Sequence, residues 1–481
     1  MTQATAASLR HVTLAALLSC SADAPAPPPP LVFTACADPL ECADVIVPLD
    51  WSSPEGPKIS LRVGRARALD GEAAGVVFLN PGGPGAPMVE RFAAQYGAYR
   101  VGFGKALARF DVVTWDVRGV GLSTRLPCAD DATFDQLRAA DLALEGGSTT
   151  GVLALADALR GGCQKSALAS HLDLATQARD LEAIRKALGV ERVAFLGYSY
   201  GGMLGLAYES LFPERIGAMV LDSPTVLGPD LEADLTGVAE ARAQGLERFF
   251  AACAASATCA FGGADPGAVA SRFDALVART TTAKLPAGTR SLSRTDLGFA
   301  VADGLRIGDA VKLGADLAKA EAGDASALLA RADLATGRDA AGHYDGHFGV
   351  HVAIVCGDQR LSAASLSAFA SFGASLRAKL PRTGWMALSP WSLCVGWSAP
   401  PRPGFKADRA PPALVVAGRF DPIAPFGNAE AMRSLLGPSS QLLVYEGDGH
   451  SASVHSACVR DAITGFLIDP RLPVRASCPK E

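Results

Sequence analysis

The sequence predicts an α/β fold, in which a mostly parallel central sheet is flanked by helices and carries an inserted α-helical cap. Strand-like apolar runs alternate with helical patterns over residues 59–221, which is typical of a parallel sheet. The pattern then becomes helical up to residue 410, and strand-like runs return at residues 413–418 and 441–445. The chain has 481 residues, 49% of them hydrophobic, so it is long enough for a large core with an insertion.

Residues 36–224 are predicted to form the first part of the core. Strand-like runs lie at residues 59–68, 75–79, 110–115, 192–196 and 215–221. Thr176 is predicted as the N-cap of the helix before the fourth of these runs, because Leu181, Ile184 and Leu188 follow it at helical spacing.

The most informative motif is the pentapeptide Gly-Tyr-Ser-Tyr-Gly at residues 197–201. It lies between a strand-like run and a helix-like run that begins at Gly202. Gly-x-Ser-x-Gly in this context is typical of a nucleophile elbow, a sharp turn that exposes a serine at the top of a sheet. Small residues two positions to either side let the strand and the helix pass closely. Ser199 is therefore the predicted nucleophile.

A serine nucleophile needs a base that removes its proton and a carboxylate that orients the base. Asp421 follows the strand-like run at residues 413–418, and His450 follows the run at residues 441–445. The chain order Ser, Asp, His is the order found in enzymes with this elbow. We therefore predict that His450 is the base and that Asp421 is the acid.

Three nearby residues are alternatives for these two roles. His455 lies five residues after His450, in a predicted helix, and would point elsewhere. Asp448 lies on the histidine loop itself, too close in sequence to face the ring from behind. Asp222, which follows the strand-like run at residues 215–221, is the runner-up acid.

An oxyanion hole is predicted upstream of the nucleophile. The segment Asn-Pro-Gly-Gly-Pro-Gly at residues 80–85 follows a strand-like run, and its glycines would let backbone N–H groups approach a developing oxyanion. Because proline has no N–H, Gly83 is the predicted first donor, and the N–H of Tyr200 is the second. Asp116 and Arg118, in the turn after the next strand, are predicted to form a buried ion pair or a turn lock.

These motifs together resemble the secreted tripeptidyl aminopeptidase branch of the proline iminopeptidase clan. The resemblance rests on residues 45–51, 80–85, 116–123, 197–202 and 418–422 and on the tail at residues 450–478. It implies an α/β-hydrolase fold and an aminopeptidase that releases short N-terminal peptides or residues through an acyl-enzyme. A peptide or a small acyl compound is therefore the expected substrate.

The resemblance also implies that a cap or loop carboxylate binds the free ammonium of the substrate. The candidates are Glu232, Asp234, Glu240 and Asp358. Asp358 is preferred, because a disulfide at the nearby Cys356 would hold it rigid. Two alternatives stay open: a carboxylesterase that acts on acyl esters with the same triad, and a catalytically silent binding protein.

Residues 225–410 are predicted to form the helical cap, inserted after the sixth strand and covering the serine, while residues 411–481 complete the core. Helical patterns lie at residues 232–255, 265–280 and 310–334. His343, His347 and His351 recur at every fourth position, a spacing that could bind a metal on one helix face. No acidic residue completes a known zinc motif, so a surface or pocket-lining role is preferred, and neither a metal nor a cofactor is expected.

Residues 1–20 resemble a bacterial lipoprotein signal peptide, in which Cys20 would be lipidated and become the new terminus. The alternative is an ordinary signal peptide that is cut within residues 22–26. Residues 21–35 are predicted to form a Pro-rich tether. The protein would then be exported from a bacterial cell and would be lipid-anchored or secreted, with membrane contact only through Cys20.

Cysteine and charge counts agree with export of a hydrolase. Of the 11 cysteines, setting Cys20 aside leaves an even ten. Their neighbourhoods favour five local disulfides in an oxidising compartment, although the sequence does not fix the connectivity. The neighbouring pairs are Cys36 and Cys42, Cys128 and Cys163, Cys253 and Cys259, Cys356 and Cys394, and Cys458 and Cys478. With 44 basic and 49 acidic side chains and no basic run, no nucleic-acid partner is expected.

Overall fold

A computed structural model describes residues 1–2, 31–145, 149–398, 404–407 and 411–481. Cys20 and nearly all of the predicted signal peptide lie outside the described residues, as does most of the predicted tether. The last two residues of that segment form the first described strand, Thr34–Ala35. No helix in these described ranges has both the length and the apolar character needed to cross a bilayer.

Among the described residues, ten strands form one sheet and two further strands form a separate hairpin. The sheet contains β1 Thr34–Ala35, β2 Glu41–Pro48, β3 Lys58–Ala66, β4 Val76–Asn80, β5 Asp111–Trp115, β6 Val193–Tyr198, β7 Ile216–Asp222, β10 Ala413–Phe420, β11 Ser440–Asp448 and β12 Ser477–Cys478, and the hairpin contains β8 Leu285–Ala287 and β9 Arg290–Leu292. Their order across the sheet is β1-β2-β3-β5-β4-β6-β7-β10-β11-β12. The pairs β1–β2, β2–β3 and β3–β5 are antiparallel, and every other neighbouring pair is parallel. The predicted mostly parallel sheet is confirmed.

Helices cover both faces of this sheet. Those of the core are α1 Met88–Arg109, α2 Asp131–Ala139, α3 Thr149–Cys163, α4 Leu174–Ala187, α5 Tyr200–Leu211, α14 Phe426–Leu436, α15 Ala452–His455 and α16 Ala457–Ile468, with a 3₁₀ helix at Ala167–Ser170. Along β6, Val193 and Phe195 join one hydrophobic cluster while Ala194 and Leu196 contact the other. Alternation between two apolar sides is what a parallel sheet covered by helices requires.

The helix that precedes the nucleophile strand begins earlier than predicted. The N-cap of α4 is Asp173, whose side chain accepts a hydrogen bond from the Thr176 N–H at 2.9 Å. The Thr176 hydroxyl donates to the same carboxylate at 2.7 Å. The prediction of Thr176 as the N-cap was wrong, because an aspartate three residues upstream satisfies the free N–H groups of the first turn.

A helical region lies between β7 and β10. It contains α6 Leu231–Ala255, α7 Pro266–Thr282, α8 Arg294–Ile307, α9 Ala310–Glu321, α10 Ser326–Thr336, α11 His347–Asp358, α12 Leu366–Lys379 and α13 Gly384–Leu388, with a 3₁₀ helix at Trp391–Cys394. The single helix predicted for residues 310–334 is two helices, since Gly323 adopts a φ of +105° between them. In the described part of the chain the region follows the seventh strand rather than the sixth, because β1 and β2 precede the five strand-like runs given above. The domain boundaries themselves stay a prediction.

Five disulfides join the cysteines that are neighbours in sequence. They are Cys36–Cys42, Cys128–Cys163, Cys253–Cys259, Cys356–Cys394 and Cys458–Cys478. The connectivity that the sequence left open is therefore the local one.

Candidate active site

Ser199 occupies a strained turn between β6 and α5. Its φ of 54° and ψ of −121° place a non-glycine residue at positive φ, a conformation that is uncommon and typical of a nucleophile elbow. Its backbone N–H donates to Asp222 O at 3.1 Å, which ties the turn to the end of β7. Although Ser199 is the N-cap of α5, its side chain makes no capping hydrogen bond. The hydroxyl is therefore not used to hold the helix.

The glycines on either side of Ser199 are required by close packing. A Cβ atom at Gly197 would lie 2.6 Å from Gly201 O, and one at Gly201 would lie 2.6 Å from Asn80 O. Both distances are shorter than any real Cβ contact, so a side chain at either position would push the strand, the helix and the neighbouring loop apart. The spacing that identified the motif is thus a packing requirement.

Asp421 and His450 form a buried pair. The carboxylate of Asp421 is 2% exposed, and its Oδ2 lies 2.8 Å from His450 Nδ1. Its Oδ1 accepts hydrogen bonds from the N–H groups of Ile423 at 2.8 Å and Ala424 at 2.9 Å. Because a carboxylate can only accept, His450 Nδ1 carries the proton and Nε2 is left free to act as a base.

The helical region contacts the histidine directly. The backbone N–H of His450 donates to Arg306 O, at the end of α8, at 2.9 Å. Around His450 lies a cleft of about 670 Å³ between α6, α8 and α9 on one side and the ends of β10 and β11 on the other. A substrate-sized space therefore reaches the predicted base, within the range of 300–1,000 Å³ found for ligand pockets.

The Ser199 hydroxyl lies 3.4 Å from Thr225 Oγ1. Within the described part of the chain it makes no hydrogen bond to the His450 ring. Long nucleophile–base contacts are common in ligand-free enzymes and shorten when substrate binds. Thr225 was not identified from the sequence, since a lone threonine three residues after a strand carries no motif.

The glycine-rich loop at residues 80–85 packs against the elbow. A Cβ atom at Gly82 would lie 2.5 Å from Tyr198 O and 3.0 Å from Ser199 Cβ. The side chain of Asn80 holds the loop by accepting the Gly82 N–H at 2.9 Å. The loop that carries Gly83 is thus adjacent to the predicted nucleophile, and the Tyr200 N–H begins α5 directly after it.

Asp116 and Arg118 stabilise this region separately rather than as a pair. Asp116 accepts hydrogen bonds from the N–H groups of Met88, Val89 and Leu122 at 2.7 to 3.0 Å, so it locks the turn to the start of α1. Arg118 instead forms a buried ion pair with Asp180 at 2.6 Å. The turn lock is confirmed for Asp116, and the partner of Arg118 comes from α4.

The three alternative residues are engaged elsewhere. Asp222 is fully buried and accepts the N–H groups of Ala452 and Ser453, each at 2.9 Å, so it holds the turn that follows His450. Asp448 pairs with Arg248 and with Lys480. His455 Nε2 lies 3.1 Å from His450 O, the backbone of the predicted base. None of the three contacts the Nδ1 of His450.

Asp358 is buried and contacts the side chain of Tyr200, the residue that follows the predicted nucleophile. It is 6% exposed, its Oδ2 accepts the Tyr200 hydroxyl at 2.6 Å, and its Oδ1 accepts the Leu174 N–H at 3.3 Å. Burial, together with the adjacent Asp358, raises the pKa of Tyr200 well above its usual range. Its role as an ammonium partner stays a prediction, because these contacts engage the carboxylate with the chain itself.

The other ammonium candidates differ in their surroundings. Glu232 accepts the N–H groups of Ser362 and Ala363 at 3.0 and 2.7 Å. Asp234 accepts the Gly228 N–H at 3.0 Å. Glu240 is exposed on α6. Two of the three therefore stabilise loops of the helical region.

The three histidines that recur at every fourth position have different surroundings. His343 is exposed and its Nδ1 lies 3.0 Å from Asp131, while His347 contacts Asp345 at 2.7 Å. His351 Nδ1 donates to Pro84 O at 3.0 Å, so it touches the predicted oxyanion loop. Among the described residues, no cluster of three or more His, Cys, Asp or Glu side chains is arranged to hold a metal ion.

Two protein-family models match the chain. The family described as the α/β hydrolase fold matches residues 75–305. A family described as TAP-like protein matches residues 383–478. The first match contains the nucleophile elbow, and the second contains Asp421 and His450.

Similar proteins include peptidases and an esterase. The chain is 30% identical over 467 residues to serine protease Hip1 of Mycobacterium tuberculosis, covering 90% of this chain and 86% of the relative. It is 32% identical over 455 residues to carboxylesterase B of the same species, covering 90% and 85%. A tripeptidyl aminopeptidase of Streptomyces coelicolor is 35% identical over 192 residues, which is 38% of this chain and 35% of that protein.

Proposed function

Because the chain belongs to the tripeptidyl aminopeptidase-like family of α/β hydrolases and is a serine hydrolase, we propose that it is an exported aminopeptidase. It would release short N-terminal peptides or residues. The observation that carries this proposal is a buried Asp421–His450 pair in a chain whose elbow serine has a hydroxyl free of capping. The similarity to Hip1 and to tripeptidyl aminopeptidase supports peptides as the substrate.

In the proposed mechanism Ser199 Oγ attacks the scissile carbonyl while His450 Nε2 takes its proton. His450 then gives that proton to the leaving amine, and water releases the acyl group from Ser199 by the same steps in reverse. Asp421 keeps the proton on Nδ1 and stabilises the imidazolium that forms. The N–H groups of Gly83 and Tyr200 would stabilise the oxyanion of the tetrahedral intermediate.

The nucleophile is tested by Ser199→Ala. Turnover should fall by several orders of magnitude, and a fluorophosphonate probe should label the unmodified protein but not this variant. Ser371→Ala, which removes an exposed hydroxyl on α12, should keep both activity and labelling. Near-normal turnover in Ser199→Ala would refute the mechanism, and absence of labelling in the unmodified protein would favour a silent binding protein.

A carboxylesterase is the second candidate, because carboxylesterase B is similar over 90% of the chain. An aminopeptidase must recognise a charged amine, whereas an esterase has no such requirement. Acetylating the N-terminus of a tripeptidyl substrate should therefore lower kcat/KM more than tenfold, about 1.4 kcal/mol or more. Equal cleavage of free and acetylated peptides, or cleavage of acyl esters alone, would favour the esterase.

Asp358→Asn distinguishes two roles for that buried carboxylate. If Asp358 binds the substrate ammonium, the variant should lose much of the discrimination between free and acetylated peptides. If Asp358 only supports Tyr200 through its hydroxyl, both substrates should be slowed by the same factor. The comparison thus tests the ammonium prediction separately from catalysis.

Export is proposed from the leader and from the five disulfides. Thiol labelling of the denatured, exported protein should find no free cysteine among the ten that pair. Incorporation of a labelled fatty acid that is lost in Cys20→Ser would support lipidation. Its absence, with a mature terminus within residues 22–26, would favour secretion.

A further inference from the structure

Arg242, on α6, is a cation that makes no ion pair with any carboxylate of the described residues. Its Nη1 donates to Met386 O at 2.9 Å, whereas its Nε is buried and has no hydrogen-bond partner. Burial alone lowers its pKa to about 10. Arg242 as a whole is half-buried. A guanidinium partly withdrawn from water without a counter-charge is destabilised, so a ligand that supplies a negative charge would be bound favourably here.

The Arg242 side chain lines a cavity of about 210 Å³. The other polar side chains that line the cavity are His351 and Ser389. Its aromatic walls are formed by Phe299, Phe348 and Trp391. The volume suits one side-chain-sized group and is below the 300–1,000 Å³ of pockets that hold a whole drug-sized ligand. Every residue that lines this cavity is described, and none of them is acidic.

The cavity lies next to the glycine-rich loop of the candidate active site. His351 Nδ1 donates to Pro84 O of the glycine-rich loop at 3.0 Å. The helix α6, which carries Arg242, also packs against the loop that follows Asp421, since a Cβ atom at Gly245 would lie 3.3 Å from Pro422 Cβ. His351 thus links the cavity to the predicted oxyanion loop, and this link is the basis for assigning the cavity to the substrate.

The polar atoms of the cavity favour an anion on an apolar stem. The Arg242 Nε–H and the Ser389 hydroxyl are both buried without partners, and a guanidinium presents donors in a fork that matches a carboxylate. His351 is neutral, because burial lowers its pKa to about 4. The single positive charge therefore comes from Arg242, and aromatic walls would cover the methylene groups that carry a carboxylate.

We propose that this cavity binds a carboxylate of the peptide substrate, carried by an acidic side chain or by a free C-terminus, and makes the enzyme selective for acidic peptides. This inference rests on the proposed peptidase function, and it assigns Arg242 as a specificity residue. Charge-assisted hydrogen bonds of this type support a preference of about tenfold or more over the neutral amide.

The selectivity test compares matched substrates. Tripeptidyl chromogenic substrates carry Glu or Gln at each position in turn, and a longer peptide carries a free or amidated C-terminus. At one of these sites the unmodified enzyme should prefer the carboxylate by about tenfold or more in kcat/KM. The site at which the preference occurs distinguishes the side-chain source from the C-terminal source.

Arg242→Gln should reduce that preference to near one. Arg279→Gln is the matched control, because Arg279 lies exposed on the neighbouring α7 and its side chain donates to Glu321 O at 2.9 Å, away from the cavity. This variant should keep the preference. If Arg242→Gln does not fold, Arg242→Lys retains the charge without the fork and should show an intermediate preference. No preference at any site, or a preference that survives in Arg242→Gln, would overturn the proposal.

A binding measurement separates this proposal from the peptidase function. Glutarate and its uncharged diamide are titrated into the protein in a calorimeter, which requires no peptide cleavage. Glutarate should bind at least about tenfold more tightly than the diamide, and Arg242→Gln should remove the difference. Failure of all peptides to be cleaved would refute the peptidase function alone, whereas equal binding of glutarate and the diamide would refute the carboxylate site alone.

Discussion

Glu209, on the helix that begins after the nucleophile, makes stability depend on pH. Its side chain is fully buried, and neither carboxyl oxygen has a hydrogen-bond partner among the described residues. Burial raises its pKa from 4.5 to about 8. The folded protein therefore holds a proton at Glu209 at neutral pH, whereas the unfolded chain has released it.

The size and sign of the pH effect on the free energy of unfolding follow from the difference between the pKa values of Glu209 in the folded and unfolded states. At 1.36 kcal/mol per pKa unit, a pKa that rises from 4.5 to about 8 corresponds to about 5 kcal/mol. Below pH 4.5 Glu209 is protonated in both the folded and the unfolded state, so it does not change the free energy of unfolding. As the pH rises from 4.5 to 8, only the unfolded state ionises, so the free energy of unfolding falls, and above pH 8 the loss is complete.

Glu209→Gln removes this ionisation while nearly preserving the shape of the side chain. Urea unfolding at pH 5 and pH 8, with the disulfides intact, gives the free energy of unfolding of both proteins. The free energy of unfolding of the variant minus that of the unmodified protein should be about 3 to 4 kcal/mol larger at pH 8 than at pH 5. Glu55→Gln, which changes an exposed glutamate, should show no such gain. A Glu209→Gln difference that is the same at both pH values would refute the reasoning.

Three further predictions concern the site and its surroundings. Asp421→Asn should lower kcat on a chromogenic substrate by about 10⁴, as in other serine triads, because the histidine would adopt the wrong tautomer; a loss below tenfold would contradict the assigned role. Burial lowers the pKa of His351 from 6.5 to about 4, so the free energy of unfolding of the unmodified protein should fall by up to about 3 kcal/mol as the pH drops through that range. Urea unfolding of His351→Asn should show a smaller fall. Replacing both Cys458 and Cys478 by Ser should lower stability by about 3 kcal/mol at neutral pH, since the bridge closes a loop of 20 residues, and an unchanged urea midpoint would contradict this.

Motifs that combine local geometry with chemistry could be predicted from the sequence. Ser199 could be predicted as the nucleophile because the elbow needs glycine at fixed positions. A Cβ atom at Gly197 or at Gly201 would lie 2.6 Å from a backbone oxygen. The meeting of Asp421 and His450 could be predicted because loops at the ends of neighbouring parallel strands lie at one edge of the sheet. Thr176 shows the limit of the same approach, because several polar residues can cap a helix and only the backbone decides which one does.

The sequence by itself determined the order of strands and helices, the elbow and the residues that follow late strands, because these depend on spacing within one segment. Only the tertiary structure decided the partners across segments. Arg118 pairs with Asp180 rather than with its neighbour Asp116, and Asp358 meets the Tyr200 hydroxyl across 158 positions of the chain. Such contacts depend on how whole helices and strands pack together. The types of two residues that lie far apart in the sequence do not specify that packing.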